Sequence, residues 1–349
     1  MKWLKNFSMN KKDVLVTGGA GYIGVHTIVE LYNSGYKPIV VDNLSNSSIK
    51  NIKGAEQILN DKITFYQYDC SDFDQMDKLF GEQINIEAVI HFAAFKSVEE
   101  SVREPQKYYT NNIGSLEIIL DLMKKYKVSN IIFSSSCTVY GSPDILPVNE
   151  LASFKKAESP YGETKQLCEK LIDSSKTNSI SLRYFNPVGS HKSGLIGDCS
   201  SDKPNNLVPI ICEVASGKRN SMKINGKDYD TDDGTCVRDY IHVVDLARAH
   251  VMALDHILNN TNIKTAYNLG VGKGVSVQEV INSFEKINNL KISYEIGPRR
   301  VGDIEKIFSD NSKINDELNW FPIMSFESAL ESAWRWEKNH KKILKKDSN

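Results

Sequence analysis

Long hydrophobic runs are missing from this chain. No stretch reaches the roughly 18 consecutive apolar residues that a membrane-spanning helix needs, so no membrane span is expected. An excess of one charge is missing too: the formal net charge is −1 over 349 residues, which leaves no basic field for nucleic acid or an anionic membrane surface. The six cysteines are scattered, with no Cys-x-x-Cys pair, a pattern that fits reduced thiols better than a disulfide frame or a zinc site. His26, His250 and His256 lack metal-ligand spacing, so no metal is expected. Before Met9, Trp3, Leu4 and Phe7 make too short an apolar run for a signal peptide, and the expected address is the cytoplasm. What remains is an ordinary globular composition, 40% hydrophobic and 25% charged, in a chain long enough for one large domain or two modest ones.

The stretch Asp13–Gly24 organises the rest. Val14, Leu15 and Val16 suit a strand buried on both faces, and Gly18, Gly21 and Gly24 follow before a helix opens over Val25–Leu31. Glycines there let the backbone turn sharply and let an anion approach helix N–H groups. A second apolar run, Ile39–Val41, ends in Asp42, an acid suited to an adenosine ribose and repellent to a 2′-phosphate. The pattern predicts a dinucleotide fold that prefers NAD to NADP.

Further apolar runs alternate with helical patterns. Asn43–Asn51 reads as a polar loop able to close over a ligand. Strands are expected at Ile63–Tyr68, Ala88–Phe92 and Ile131–Phe133, and helices around Met76–Phe80 and Leu116–Tyr126. The fold class is therefore α/β, a Rossmann-type doubly wound parallel sheet with a smaller C-terminal substrate-binding lobe. Residues 10–185 form the expected NAD-binding domain, to which 237–258 return as a strand and helix. Residues 186–236 and 259–342 form the second lobe, with Gly189–Asn206 as a long surface loop and Lys338–Lys346 as a solvated tail.

A second signal is Ser136 with Tyr161 and Lys165. Tyrosine and lysine four apart share a helix face, and a nearby ammonium favours tyrosinate, moving the phenol toward general-base use. His91, in a strand-end motif, reads as structural.

Four strings, Thr17-Gly-Gly-Ala-Gly-Tyr-Ile-Gly24, His91-Phe-Ala-Ala94, Ser134-Ser-Ser-Cys-Thr-Val-Tyr-Gly141 and the Tyr161/Lys165 pair, resemble the extended short-chain dehydrogenase/reductases over nearly the whole chain. Leu182-Arg-Tyr-Phe-Asn-Pro-Val-Gly189, Pro204-Asn-Asn-Leu207, Asp233-Gly-Thr-Cys-Val-Arg-Asp-Tyr-Ile-His242 and Tyr267-Asn-Leu-Gly270 narrow the resemblance to the UDP-hexose 4-epimerase branch.

The resemblance implies Tyr161 as catalytic base, Lys165 as its partner on the nicotinamide ribose, and Ser136 on the reacting sugar hydroxyl. It implies an NAD site from Gly18, Gly21, Tyr22, Ile23, Gly24, Asp42, Asn43, Asp69, Cys70, Phe92, Ala93, Lys96, Asn111, Ser134, Tyr161, Lys165 and Phe185. It places the nucleotide sugar against Lys96, Ser136, Tyr161, Asn186, Asn206, Leu207, Arg238, Arg300, Asp303 and Ile307. Arginine forks at Arg238 and Arg300 match diphosphate oxygens. The implied partners are UDP-glucose and UDP-galactose, with a homodimer built by helix packing that includes Tyr161–Ser174.

Four positions bear on detail. Asn112-Ile-Gly114 is one residue shorter than the usual spacing, which disturbs the helix start beside Asn111. Cys137 stands where a smaller residue is common, and Asn225 where an aromatic often packs near uracil. Ile307 is expected at the wall beside the sugar, with UDP-GlcNAc and UDP-GalNAc as slower substrates. Two alternatives to an epimerase are a nucleotide-sugar 4,6-dehydratase and a non-catalytic NAD sensor. The first wants an Asp-Glu pair where Thr138 is followed by Val139-Tyr140, and the second has no use for Ser136, Tyr161 and Lys165 together.

Overall fold

The computed structural model describes residues 11–199, 204–300 and 303–347; the N-terminal run before Met9 lies outside them, as do residues 200–203 of the expected Gly189–Asn206 loop. β1 (Asp13–Thr17) is buried along its length, as an apolar run covered on both faces requires. Then come α1 (Tyr22–Asn33), β2 (Lys37–Val41), α2 (Ile49–Leu59), β3 (Thr64–Tyr66), α3 (Phe73–Glu82) and β4 (Ile86–His91). The Ser48 hydroxyl accepts from the Lys50 N–H at 3.2 Å and starts α2, so the end of the expected Asn43–Asn51 loop is helix. β3 is shorter than Ile63–Tyr68 because Asp69 begins a turn, its carboxylate accepting from the Ser71 N–H at 2.8 Å.

Next stand α4 (Val98–Arg103), α5 (Pro105–Tyr108) and α6 (Gly114–Tyr126). Between α5 and α6 the helix widens to a π-turn over Tyr109–Ile113, at the shortened Asn112-Ile-Gly114 spacing. The turn presents Asn112 to the segment after β4, where its amide exchanges bonds of 2.8 and 3.0 Å with the Phe95 backbone. β5 (Asn130–Ser136), α7 (Pro160–Ser174) and β6 (Asn178–Tyr184) complete this half, with Ser134, Ser135 and Ser136 inside the strand.

The remaining elements are β7 (Asn186–Val188), α8 (Leu207–Ala215), β8 (Met222–Asn225), β9 (Val237–His242), α9 (Val243–Asn259), β10 (Lys264–Leu269), β11 (Gly274–Ser276), α10 (Val277–Asn288), β12 (Tyr294–Gly297), β13 (Lys306–Ile307), α11 (Ser312–Leu318) and α12 (Phe326–Asp347). The large sheet is parallel, in the order β10-β6-β5-β4-β1-β2-β3. Strand order reverses at β1, so the crevice for a ligand lies beyond the carboxyl ends of β1 and β4. β7, β9, β11 and β13 form a smaller sheet, and β8 pairs with β12. Among the described residues no helix is long and apolar enough to cross a membrane.

The return of residues 237–258 divides between the lobes. α9 packs its apolar face with Val25, Ile28 and Val29 of α1, whereas β9 bonds within the small sheet. β10, from the stretch assigned to the second lobe, is instead the outer strand of the large sheet, paired in parallel with β6. The expected surface loop also turns inward: Ile196 is fully buried, and the Asn51 amide donates to Gly197 O at 3.2 Å and Ala20 O at 2.9 Å. The lysine-rich end continues the backbone of α12 to Asp347.

A buried ion pair orients α7. Glu169 on α7 accepts from Arg183 Nε at 3.0 Å and Nη2 at 2.7 Å, while Arg183 Nη1 donates to the Tyr140 hydroxyl at 2.9 Å. Removing one partner strands the other charge in the interior. We expect Glu169→Ala to cost about 3–5 kcal/mol, read as a lower urea midpoint. A loss below about 1 kcal/mol would contradict this account of how α7 is held.

Candidate active site

The turn after β1 is built so that only glycine fits. Gly18 has φ +66°, and a Cβ on it would stand 2.7 Å from the Ala93 nitrogen at the end of β4. A Cβ on Gly24 would stand 2.6 Å from Gly18 O. α1 begins at once, with Gly21 as its N-cap, no side-chain cap and no acid in the first turn. Its leading N–H groups and the positive end of its dipole are thus left for an anion. At the end of β2, Asp42 is buried, accepting from Ala20 N–H (3.0 Å), Leu44 N–H (2.9 Å) and Ser47 Oγ (2.7 Å). At Asp69 burial raises the carboxyl pKa, but bonds from Ser71 and Asn43 outweigh it and hold the group below its ordinary value. A diphosphate at the helix start and a ribose at Asp42 fit what these residues offer.

One cleft gathers nearly every predicted cofactor residue: Gly18, Gly21, Tyr22, Ile23, Gly24, Asp42, Asn43, Asp69, Cys70, Phe92, Ala93, Lys96, Asn111, Ser134, Tyr161 and Lys165 all line it. Phe185 does not; it is buried behind the wall with Cys137 and Ile307. Tyr184, inside the Leu182–Gly189 string but not among the expected cofactor residues, lines the cleft. Phe95 and Ser115 line it as well.

At the inner end stands α7, capped by the Ser159 hydroxyl, which accepts from the Gly162 N–H at 3.2 Å. Lys165 is buried, and its Nζ donates to Ser134 O at 2.6 Å and sits 4.7 Å from the Phe133 ring centre. Burial pushes its pKa down to about 8. Tyr161 faces the opposite shift from the one expected: burial pushes the phenol up to about 12, with the Ser136 hydroxyl acting in the other direction. The expected depression by Lys165 is not what the protein alone sets. Lys165 Nζ lies 5.9 Å from the Tyr161 ring centre and is directed to Ser134 O. His91 is structural, as expected: it is buried, bonded to Thr17 Oγ1 at 2.9 Å, and held neutral by a pKa lowered to about 3 through burial.

The predicted sugar-nucleotide residues are more dispersed. Arg300 donates to Asp303 at 2.6 Å and Arg238 approaches the same carboxylate at 3.5 Å, so one acid gathers both guanidinium groups. Asn206 caps α8, Leu207 opens it, and Asn186 opens β7 beside Tyr240. Asn225 closes β8. Ile307 pairs with Arg238 across the small sheet but is only 2% exposed, enclosed with Cys137 and Phe185.

Known proteins resolve the family. Residues 14–270 match the model of the NAD dependent epimerase/dehydratase family. The chain belongs to that family. It is similar to the UDP-glucose 4-epimerase of Bacillus subtilis, at 47% identity over 94% of this chain and 97% of the relative. It is also similar to the Dictyostelium discoideum UDP-glucose 4-epimerase, at 45% identity over 93% and 95%. A crystal structure of UDP-glucose 4-epimerase from Bifidobacterium longum with NAD+ and UDP superposes with a TM-score of 0.90 at 44% identity, covering 94% of this chain and 99% of that one.

For a member of the NAD dependent epimerase/dehydratase family, the cleft also chooses between dinucleotides. The Asp42 carboxylate would meet a 2′-phosphate at close range, and among the described lining residues there is no arginine to offset it. Mass analysis of denatured protein is expected to recover NAD. Mainly NADP would contradict the role of Asp42.

Proposed function

We propose that this chain catalyses the reversible, NAD-dependent 4-epimerisation of UDP-glucose and UDP-galactose. The observation that carries this reading is Tyr161 and Lys165 lining one end of a glycine-cradled cleft, with the Ser136 hydroxyl bonded to the Tyr161 phenol beside it. Near-full-length similarity to UDP-glucose 4-epimerases supports the same substrates. The first lobe binds NAD and the smaller lobe the nucleotide sugar. A homodimer formed by helix packing that includes α7 belongs to the same reading.

NAD, when bound in the cleft, would supply the hydride acceptor for C4 and the hydride donor for its return. The chain's own part is proton handling and anchoring. Tyr161, raised by burial, would be brought toward ionisation by the positive charge of oxidised NAD when bound, since the Lys165 ammonium is directed to Ser134 O. It takes the C4 hydroxyl proton while Ser136 bonds the same oxygen, leaving a 4-keto sugar. Arg238 and Arg300 turn from Asp303 to the diphosphate, so most binding energy lies away from the sugar, which rotates about a fixed anchor. Tyr161 then returns the proton to the epimeric alkoxide.

UDP-GlcNAc and UDP-GalNAc are the slower pair in this reading, since Ile307 is enclosed with Phe185 and Cys137 and leaves no open space of its own for an acetamide. A coupled assay on both pairs checks that order, and equal turnover contradicts it. A dehydratase is disfavoured because Val139 and Tyr140, where an acid pair would act, are fully buried apolar and aromatic side chains.

Tyr161→Phe is expected to keep fold and NAD content but to lose roughly 10²–10⁴-fold in epimerase turnover, the usual worth of general-base catalysis. Turnover within a factor of a few of the parent would remove Tyr161 from the mechanism.

A further inference from the structure

Tyr184 closes β6 and lines the cleft at its Tyr161–Lys165 end, with no role in the proton handling above. It is buried, and its hydroxyl lies 2.5 Å from Nε2 of His250, on the helix α9 that follows the small-sheet strand β9. The other nitrogen of that ring, Nδ1, lies 2.8 Å from Leu246 O, one helical turn back. A carbonyl oxygen only accepts, so Nδ1 carries the hydrogen. Burial lowers the His250 pKa to about 4, so at neutral pH the ring is uncharged and Nε2 is a bare acceptor. The phenol proton of Tyr184 is therefore committed to His250, and its oxygen acts only as an acceptor, shared between the Ser134 hydroxyl and the cleft. The imidazole is further braced by the ring of Phe92, 4.9 Å away and itself part of the cleft wall.

We propose that His250 is a positioning residue for the cofactor: by taking the Tyr184 proton it fixes Tyr184 as a hydrogen-bond acceptor for the carboxamide N–H of the nicotinamide. The inference rests on the reading above, in which Tyr161 and Lys165 mark the nicotinamide end. A phenol free to rotate would offer its proton to the cleft as readily as its lone pair. It would then accept the nicotinamide carboxamide in either flip. Commitment of the proton from behind removes that choice, and with it a set of unproductive cofactor poses.

The test is a double-mutant cycle on the full chain, with His250→Leu, Tyr184→Phe and their combination, read as the dissociation constants of NAD and of ADP-ribose. His250→Gln, whose amide oxygen can accept the phenol proton, is the rescue variant. Each single variant is expected to weaken NAD about tenfold, the worth of one hydrogen bond, while leaving ADP-ribose within about twofold. The double variant should be no weaker than either single one, and His250→Gln should recover most of the loss. 3-Acetylpyridine adenine dinucleotide, which lacks the carboxamide N–H but keeps the ribose, is expected to be insensitive to the cycle, and sensitivity equal to that of NAD would overturn the proposal. Additive losses, no rescue, or equal weakening of NAD and ADP-ribose would overturn the proposal and leave His250 a packing residue. Parent protein that holds ADP-ribose but not NAD would instead overturn the reading of the cleft itself.

Discussion

One buried bond, from Lys165 Nζ to the Ser134 carbonyl at 2.6 Å, constrains the Tyr161–Lys165 end of the cleft. It ties α7 to the end of β5 in a place where an ammonium is costly, which is why burial brings its pKa down to about 8. The carbonyl and the Phe133 ring face compensate part of that cost. Because Tyr161 lies one turn before Lys165 on the same helix, fixing the lysine fixes the phenol. The Arg183–Glu169 pair holds the same helix one turn beyond Lys165, so its rotation is set at two successive turns.

The cofactor cleft depends on backbone approach rather than on side-chain reach. Gly18 lies against the start of the segment after β4, and Asn112 secures that segment from the π-turn. The second lobe is fastened to the same turn. Tyr22 donates to Gly189 O at 2.6 Å, His26 Nε2 accepts from the His191 N–H at 2.9 Å, and Trp336 of α12 donates to Asp198 O at 3.2 Å. The helix that offers its N–H groups to a diphosphate thus also anchors the loop that opens the smaller lobe.

The large sheet and the cofactor cleft were legible in the sequence because parallel βα units put motif residues at strand ends, and strand ends converge on one edge. Asp42, Asp69 and Phe92 needed nothing more than the end of an apolar run. Strand partners were not legible. β9 and β10 carry similar patterns, and only long-range pairing sends one to the small sheet and the other to the large one. Side-chain direction was equally hidden. Phe185 and Ile307 meet each other in a closed cluster, while Tyr184, one residue from Phe185, faces the cleft because neighbours in a strand point to opposite sides. The Tyr161 phenol was misjudged for an electrostatic reason: spacing shows that a lysine is near, but not that burial outweighs it or that a carbonyl has claimed its ammonium.

The central claim is that C4 exchanges a hydride with a cofactor held in the closed cleft, while Tyr161 moves only the hydroxyl proton. UDP-galactose deuterated at C4, turned over in ordinary water and examined as UDP-glucose by NMR, tests this most directly. The account predicts that the label stays on C4 of the product, with none lost to solvent. Hydrogen from water appearing at C4 would contradict it and would demand a different chemistry at that carbon.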